Sequence, residues 1–253
     1  MTPTLSPRLQ TLARIAQAAG AVVMHHYEAG AQVRVKADCS PVTDADEDAE
    51  KLILAELAAA FPNVPVVAEE ETAAGHIAGV AAHFFLVDPV DGTKEFLKRT
   101  GEFTVNIGEV QGGVPVAGVV FAPAIDRLFV GAMGEGAFEL SGGILKSIAA
   151  RTPPDDGLTA ISSKSHPDAQ TGALLGSMNI KDHINAGSSL KFCLVAAGEA
   201  DIYPRAGRTM EWDTAAGDAV LRAAGGDVSN WDYTPFTYGK PEFENGPFIA
   251  RGR

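Results

Sequence analysis

The chain has 253 residues, 46% of them apolar, and its 20 basic and 32 acidic residues give a formal net charge of −12. This composition predicts a globular protein with a sizeable core, as one large domain or two smaller ones. The acidic balance disfavours nucleic-acid polymers and anionic membranes as partners, because like charges repel at long range.

Sequence patterns disfavour two further classes. No uninterrupted apolar run reaches about 20 residues and no basic start precedes an apolar segment, which predicts neither a transmembrane segment nor a signal peptide. Cys39 and Cys193 form no CxxC pair, and the six His residues show no zinc-binding spacing. We therefore predict a cytoplasmic protein, with peripheral attachment to the cytoplasmic side of the inner membrane left open.

The first half of the chain predicts two helices followed by an antiparallel block. Apolar residues at helical spacing, together with start and stop signals, mark the helices, and glycine-containing turns mark the hairpins. The predicted elements are a helix from Ser6 to before Gly30, a helix from 43–46 to about 61, a strand at 64–68, a strand ending at 87, and hairpins of 103–110 with 114–121 and of 127–132 with 136–140.

Residues 151–157 combine turn formers with charged residues and are the predicted boundary between an N-terminal part, 1–150, and a C-terminal part, 151–253. The C-terminal part alternates strand and helix. Its predicted elements are a strand at 158–162, helices at 167–176 and 188–198, an edge strand at 201–204 and a late helix that follows Trp212 and Asp213.

The most informative motif is Asp88-Pro89-Val90-Asp91-Gly92-Thr93, which follows the apolar end of a predicted buried strand. The proline suits a β-turn, which would bring the two Asp side chains within about 7 Å, where carboxylates repel unless a cation lies between them. The glycine permits close backbone approach, and the threonine begins a predicted helix whose first N–H groups attract phosphate. Hard oxygen ligands beside a phosphate site indicate Mg²⁺ rather than zinc or iron.

Some of these acidic residues have other interpretations. An acidic turn that only caps a helix remains an alternative for the motif. A covalent aspartyl-phosphate mechanism is disfavoured, because it needs two Asp separated by one residue and here two intervene. The run from 44 to 48 opens like a calcium loop, but Ala49 and Ala55 occupy its glycine and acid positions. Alone, residues 69–71 are explained equally well as surface charge, and Asp213 is explained better as a helix N-cap.

Together these motifs resemble the inositol monophosphatase superfamily of Mg²⁺-dependent, lithium-sensitive phosphatases. Its pattern is an acid at a strand end, then Asp-Pro-x-Asp-Gly-Thr, then Trp-Asp opening a late helix. Over almost its whole length the chain resembles the 3'(2'),5'-bisphosphate nucleotidase branch, in which Lys94-Glu95-Phe96 stands where inositol phosphatases typically carry Thr-Asn-Phe. The other segments that carry this resemblance are 36–46, 101–106, 163–166 and 187–193.

The resemblance implies an α+β fold, a layered α/β/α/β/α sandwich of the inositol monophosphatase and fructose-1,6-bisphosphatase type. It implies that Asp46 and Thr93 take a proton from the attacking water. The implied ligands of two or three Mg²⁺ ions are Glu69, Asp88, Asp91, Asp213 and the backbone carbonyl of Val90. The implied substrate contacts are Glu69, Val90, Asp91, Gly92, Thr93, Asp213, Ser188, Ser189 and Lys191, with Tyr203 and Arg205 beside them.

The implied reaction is hydrolysis of the 3'-phosphate of adenosine 3',5'-bisphosphate to AMP and phosphate, a clearing step in sulfate activation. An inositol or sugar monophosphatase on the same fold is the first alternative, and a non-catalytic nucleotide sensor is the second. The sensor is disfavoured because every implied ligand is present, as are Asp46 and Thr93. The oligomeric state is left open.

Overall fold

The computed structural model describes residues 3–35, 41–76, 79, 81–163 and 168–253. Its helices in these ranges, besides a short 3-10 helix at Pro123–Ile125, are α1 (Pro7–Ala29), α2 (Asp44–Ala60), α3 (Glu69–Ala73), α4 (Thr93–Leu97), α5 (Ala169–Gly176), α6 (Leu190–Ala196) and α7 (Glu211–Ala223). None of these helices is both long enough and apolar enough to cross a membrane.

The strands form two large sheets and two small pairs. They are β1 (Val33–Val35), β2 (Pro41–Thr43), β3 (Val66–Ala68), β4 (His83–Asp91), β5 (Thr104–Gln111), β6 (Val114–Ala122), β7 (Arg127–Ala132), β8 (Gly136–Ser141), β9 (Ile144–Ile148), β10 (Leu158–Ser163), β11 (Ile180–Ala186), β12 (Ile202–Arg205), β13 (Thr209–Met210), β14 (Asp227–Asn230), β15 (Glu244–Asn245) and β16 (Phe248–Arg251). Seven strands follow the order β3-β4-β5-β6-β7-β8-β9, and five follow β11-β10-β12-β16-β14.

Helices and sheets alternate in five layers. α1 and α2 cover one face of the seven-stranded sheet, where Ile53 and Phe85 belong to one buried cluster. α6 and α7 lie between the two sheets, where Phe192 and Phe248 belong to a second cluster. α5 covers the outer face of the five-stranded sheet, with Leu175 in a third. The predicted α+β sandwich of α/β/α/β/α layers is confirmed.

The first two helices form where the sequence predicts them. Ser6 Oγ accepts the N–H of Leu9 at the start of α1, and Gly30 ends that helix with a φ of 88°. Thr43 caps α2, and the buried Asp46 completes a capping box by accepting the Thr43 N–H at 2.8 Å. The cap therefore fixes Asp46 at the first turn of α2.

In the second half, one strand lies elsewhere in its sheet than predicted. The predicted edge strand at 201–204 is wrong in its position, because β12 lies inside the five-stranded sheet between β10 and β16. Two strands from far along the sequence, β14 and β16, extend the sheet past it. Residues 151–157 lie between β9 of the seven-stranded sheet and β10 of the five-stranded sheet. The division of the chain into the parts 1–150 and 151–253 stays a prediction.

Three glycines in register allow α7 to lie close to the seven-stranded sheet. Gly108 pairs with Gly118, and Gly118 pairs with Gly131, across β5, β6 and β7. A Cβ at Gly118 would lie 2.4 Å from the backbone oxygen of Ala216 in α7. Because α7 also carries Asp213 in its first turn, this close approach sets the distance of Asp213 from the sheet.

Candidate active site

The motif that begins at Asp88 starts inside a strand rather than in a turn. β4 continues through Asp91 and stays paired with β5, so that Asp88 faces Asn106 and Asp91 faces Thr104. Three steps along β4 match two along β5, which is the count of a β-bulge. The predicted β-turn is wrong because pairing with β5 continues beyond Pro89, and proline is tolerated at a bulge.

Gly92 joins the end of β4 to α4 in a left-handed conformation, with φ 93° and ψ 42°. A Cβ there would meet Ser188 Oγ at 2.3 Å, so both the conformation and the space require glycine. Ser188 Oγ lies 2.7 Å from the carbonyl oxygens of Asp91 and Glu102, to which it can donate one proton. The segment before α6 is thereby tied to the end of β4.

Asp46 and Thr93, the predicted proton-accepting pair, lie next to each other. Thr93 Oγ1 is 3.4 Å from Asp46 Oδ1 and 3.3 Å from the carbonyl oxygen of Val90. Both contacts are at the long end of hydrogen bonding, and one hydroxyl proton serves only one of them at a time. The other Asp46 oxygen accepts the hydroxyl of Thr43 at 2.6 Å, which fixes the carboxylate.

Three of the five predicted ion ligands, Glu69, Asp91 and Asp213, line one cleft of about 240 Å³ together with Gly92 and Thr93. Asp88 lies behind them and is 1% exposed. Burial raises the pKa of Asp88 well above its usual range, and the charges of Glu69, Asp91, Asp213 and Asp46 raise it further. Burial, followed by Asp91 and Glu69, does the same to the pKa of Asp213. The cleft thus holds more negative charge than its surroundings stabilise.

The donor atoms fit a hard divalent cation. One oxygen each of Asp88, Asp91 and Asp213 accepts a backbone N–H, at 2.9, 2.6 and 2.8 Å respectively. The described residues give the second oxygen of each carboxylate no hydrogen bond. In the described ranges, no three acidic, His or Cys side chains lie close enough together to form a compact ion-binding group. Carboxylate and carbonyl oxygens of this kind suit Mg²⁺.

The two serines expected to contact substrate are engaged inside the protein. Ser189 is 2% exposed, its N–H donates to Asp91 Oδ2, and its hydroxyl donates to Asn106 Oδ1 at 2.6 Å. The Ser188 hydroxyl is held by the backbone, as described above. These bonds favour a role in holding Asp91, and substrate contact by either hydroxyl stays a prediction.

Basic and aromatic side chains also line the cleft. Lys191 is 4% exposed, donates from Nζ to the Ser188 carbonyl, and lies 5.2 Å from the ring centroid of Tyr203. Burial lowers the pKa of Lys191 to about 8, although the Asp91 charge opposes that shift. Arg205 and Arg208 line the same cleft. Acidic and basic side chains therefore line the same cleft.

Two polar residues of the segment 101–106, to which the sequence analysis gave no role in the site, lie beside the motif. Thr104 and Asn106 are fully buried in β5, opposite Asp91 and Asp88. Thr104 Oγ1 lies 2.9 Å from Ser189 Oγ, so a chain of polar groups joins β5 to the residue that holds Asp91. A signal was present, since Thr104 and Asn106 alternate with apolar residues at the start of β5, the next strand after the motif.

A second cavity of about 510 Å³ adjoins the cleft and shares Arg205 with it. α5 and strands β10 to β12 form its walls, with Leu175, Met178 and Ile180 supplying apolar surface and His183 a polar group. The segments 36–40, which contains Cys39, and 164–166, both used for the predicted branch of the family, lie outside the described residues.

Comparison with known proteins gives one consistent result. A sequence model of the inositol monophosphatase family matches residues 4–249. The 3'(2'),5'-bisphosphate nucleotidase CysQ of Escherichia coli O157:H7 is 42% identical over 234 residues, which cover 91% of this chain and 93% of that protein.

Two solved structures extend the comparison to the fold. CysQ from Bacteroides thetaiotaomicron, a bacterial member of the inositol monophosphatase family, is 35% identical with a TM-score of 0.81 over 97% of each chain. Inositol monophosphatase from Anabaena is 28% identical with a TM-score of 0.75, over 96% of this chain and 89% of that one. With its family match, its fold and its acidic cleft in agreement, the chain belongs to the inositol monophosphatase family.

Proposed function

We propose that this protein is a Mg²⁺-dependent phosphatase that removes the 3'-phosphate of adenosine 3',5'-bisphosphate, giving AMP and phosphate. The observation that carries the proposal is the cleft that Glu69, Asp91 and Asp213 line together with Lys191 and Arg205. Such a cleft can hold a cation and a multiply charged anion side by side. The relative named 3'(2'),5'-bisphosphate nucleotidase supports the choice of substrate.

In this proposal Glu69, Asp88, Asp91, Asp213 and the Val90 carbonyl hold two or three Mg²⁺ ions. When bound, Mg²⁺ makes water a better nucleophile at neutral pH and offsets the charge that develops on the phosphate and leaving oxygens. The three aspartates each direct one oxygen to a backbone N–H, which orients the carboxylate before any ion arrives.

The chain's own groups supply proton transfer and orientation. Thr93 Oγ1 accepts a proton from the attacking water as it passes its own proton to Asp46 Oδ1, 3.4 Å away. Asp46 remains in place during this step because Thr43 holds its other oxygen. The backbone N–H groups of Gly92 and Thr93, at the start of α4, bind the phosphate that leaves.

The second cavity supports a nucleotide over a single-ring polyol. A nucleoside 3',5'-bisphosphate carries a base and a second phosphate in addition to the phosphate that is removed, and these need contacts beyond the ion ligands. The adjoining cavity offers apolar walls, and Arg205 lies at the border where a second phosphate would bind. Inositol or sugar monophosphate hydrolysis is the second candidate, favoured by the likeness to the Anabaena inositol monophosphatase. A cytoplasmic location, and any peripheral attachment to the inner membrane, stay predictions.

Metal removal tests the proposed reaction. Treatment with EDTA is expected to lower phosphate release from adenosine 3',5'-bisphosphate by roughly 10³-fold or more, and added Mg²⁺ is expected to restore it. Chromatography of the nucleotide product separates adenosine 5'-phosphate from adenosine 3'-phosphate. Adenosine 5'-phosphate is the expected product. Release that survives EDTA, or adenosine 3'-phosphate as the product, would contradict the proposal.

The hydroxyl of Thr93 is expected to matter for turnover rather than for folding. Thr93→Val keeps the side-chain shape but removes the proton route to Asp46, so kcat should fall by about 10²-fold or more. Thr93→Ser keeps the hydroxyl and should retain most of the activity. Steady-state kinetics measure kcat of both variants, and thermal unfolding measures their stability. Equal kcat for the Val variant and the unsubstituted protein would remove Thr93 from the mechanism.

A further inference from the structure

A second acidic residue lies buried on α2, one turn beyond Asp46. Glu50 follows Asp46 by four residues, which places both on the same face of the helix, and Glu50 is 3% exposed. A buried carboxylate is costly unless its oxygens find hydrogen-bond donors. The partners of Glu50 therefore indicate its role.

Both oxygens of Glu50 accept backbone N–H groups from a distant segment. The N–H of Glu70 donates to Oε2 and the N–H of Glu71 donates to Oε1, each at 2.8 Å. These groups belong to the first turn of α3, whose own N-cap residue, Ala68, has no side-chain acceptor. Glu50 thus acts as an N-terminal cap of α3, although it lies 20 residues before Glu70 in the chain.

The chemistry of this contact needs a carboxylate. Two adjacent N–H groups require two acceptor atoms, and a glutamine offers only one, with an NH₂ group that would oppose the second N–H. The charged form is kept at an electrostatic cost: burial, together with the charges of Glu69 and Glu71, raises the pKa of Glu50 to about 7, against the effect of the two N–H donors, which lower it. Holding two amides is the gain that offsets this repulsion.

The held amides directly follow Glu69, which lines the acidic cleft. Fixing the peptide groups at 70 and 71 limits the rotation of the backbone that carries the Glu69 side chain. One turn earlier on the same face, α2 carries Asp46, which is next to Thr93. One rigid helix therefore connects the proton-accepting pair with the strand end that bears Glu69.

We propose that Glu50 is a positioning residue: by holding the amides of Glu70 and Glu71 it orients Glu69 and sets the affinity of the cleft for divalent cations. Glu50 itself contacts neither cation nor substrate. The inference rests on the proposed function, in which Glu69 is an ion ligand. It adds a residue that acts through the backbone, in the way that outer partners of metal ligands commonly tune a site.

Glu50→Gln in the full chain tests this role through cation binding. Titration with Mn²⁺, followed by the paramagnetic signal of the free ion, measures affinity without turnover. We expect binding about tenfold weaker than in the unsubstituted protein. The Mg²⁺ concentration for half-maximal phosphate release should rise by a similar factor, with KM for the nucleotide at saturating Mg²⁺ unchanged. Glu56→Gln, on the same helix and in a surface ion pair with Arg14, should leave Mn²⁺ affinity unchanged.

A double-mutant cycle separates action through Glu69 from a general weakening of the fold. In a Glu69→Gln background, Glu50→Gln should cost no further Mn²⁺ affinity, whereas in an Asp213→Asn background it should still cost its tenfold. An equal loss in both backgrounds, or no loss in the single variant, would overturn the role of Glu50. Unchanged Mn²⁺ affinity in Glu69→Gln alone would instead contradict the proposed ion site.

Glu50→Asp provides a second variant if the amide variant folds poorly. Aspartate keeps two acceptor oxygens on a shorter side chain, so it should retain more Mn²⁺ affinity than glutamine does. Thermal unfolding of both variants without added metal reports the structural part of the effect. Mn²⁺ affinity that simply follows the unfolding midpoint, with no advantage for the carboxylate, would also overturn the proposal.

Discussion

Asp91→Asn is expected to lower phosphate release by roughly 10³-fold, which corresponds to about 4 kcal/mol of activation free energy. Asp91 lines the cleft and is a proposed ion ligand, so the amide removes a charge that the cation needs. Folding should be little affected. An asparagine oxygen can still accept the N–H of Ser189, which Asp91 Oδ2 accepts at 2.6 Å.

The pKa of Asp91 explains why the fold should tolerate this change. Burial raises that pKa to about 6, against the opposing effects of Lys191 and the Ser189 N–H. A raised pKa means that the folded protein disfavours the charged form relative to the unfolded chain, and a neutral amide removes this penalty. The thermal midpoint should therefore stay within a few degrees of the original or rise.

Steady-state phosphate release and thermal unfolding, measured on the same preparation, check both halves of this prediction. Asp156→Asn is the matched control, because Asp156 makes an exposed ion pair with Lys181 far from the cleft, and its activity should be unchanged. Turnover of Asp91→Asn within about tenfold of the unsubstituted protein would remove Asp91 from the ion site.

Gly118→Val is expected to reduce the free energy of unfolding by more than about 3 kcal/mol, or to prevent folding. A Cβ at this position would lie 2.4 Å from the backbone oxygen of Ala216, and backbone in a packed helix cannot move aside as a flexible side chain can. Gly108 and Gly131, in register on either side of Gly118, are also in close contact with α7, so the helix cannot shift sideways along the sheet to avoid the valine.

Urea unfolding measures this effect, with Gly172→Ala as the control. Gly172 lies within α5, has an ordinary φ and has no atom within 4 Å of an added Cβ. Alanine there should raise the free energy of unfolding by about 0.5–1 kcal/mol, because glycine is a poor helix former. Gly118→Ala, in contrast, should lower the free energy of unfolding. An unchanged urea midpoint for Gly118→Val would contradict the close packing of α7 on the sheet.

Local signals were sufficient for the first two helices and the first hairpin. Ser6, Thr43 and the following apolar spacing determine α1 and α2 without help from the rest of the fold. Gly112 and Gly113 turn the hairpin with φ of 58° and 78°, which side chains other than glycine adopt poorly. These features could be predicted because their causes lie within a few residues.

Two predictions, the β-turn at Pro89 and the edge position of the strand at 201–204, were wrong because strand pairing over long sequence distances decides both. Pro89 is a common turn residue, but the pairing of β4 with β5 makes it part of a bulge. β12 is only four residues long, and its central position depends on β14 and β16, which follow much later in the chain. Strands of two to four residues, such as β13 to β16, are too short for alternation to reveal.

The acidic cleft was only partly predictable from local chemistry. Asp88 and Asp91 stand out because two acids flank a proline at a strand end. Glu69 and Asp213, taken alone, were explained equally well or better as surface charge and a helix cap, and only the family resemblance assigned them to the ion site. Glu50 was not singled out, since its acidic neighbours on α2 hide the fact that it is buried.

The most direct test of the proposed function is phosphate release from adenosine 3',5'-bisphosphate and from inositol 1-phosphate in parallel. Both substrates are supplied at equal concentration with Mg²⁺, and each has an EDTA control. The proposal predicts that kcat/KM for the nucleotide exceeds that for inositol 1-phosphate by roughly 10²-fold or more, because the base and second phosphate of the nucleotide are proposed to bind in the second cavity and inositol 1-phosphate has neither group. A preference for inositol 1-phosphate, or Mg²⁺-dependent release from neither substrate, would contradict it.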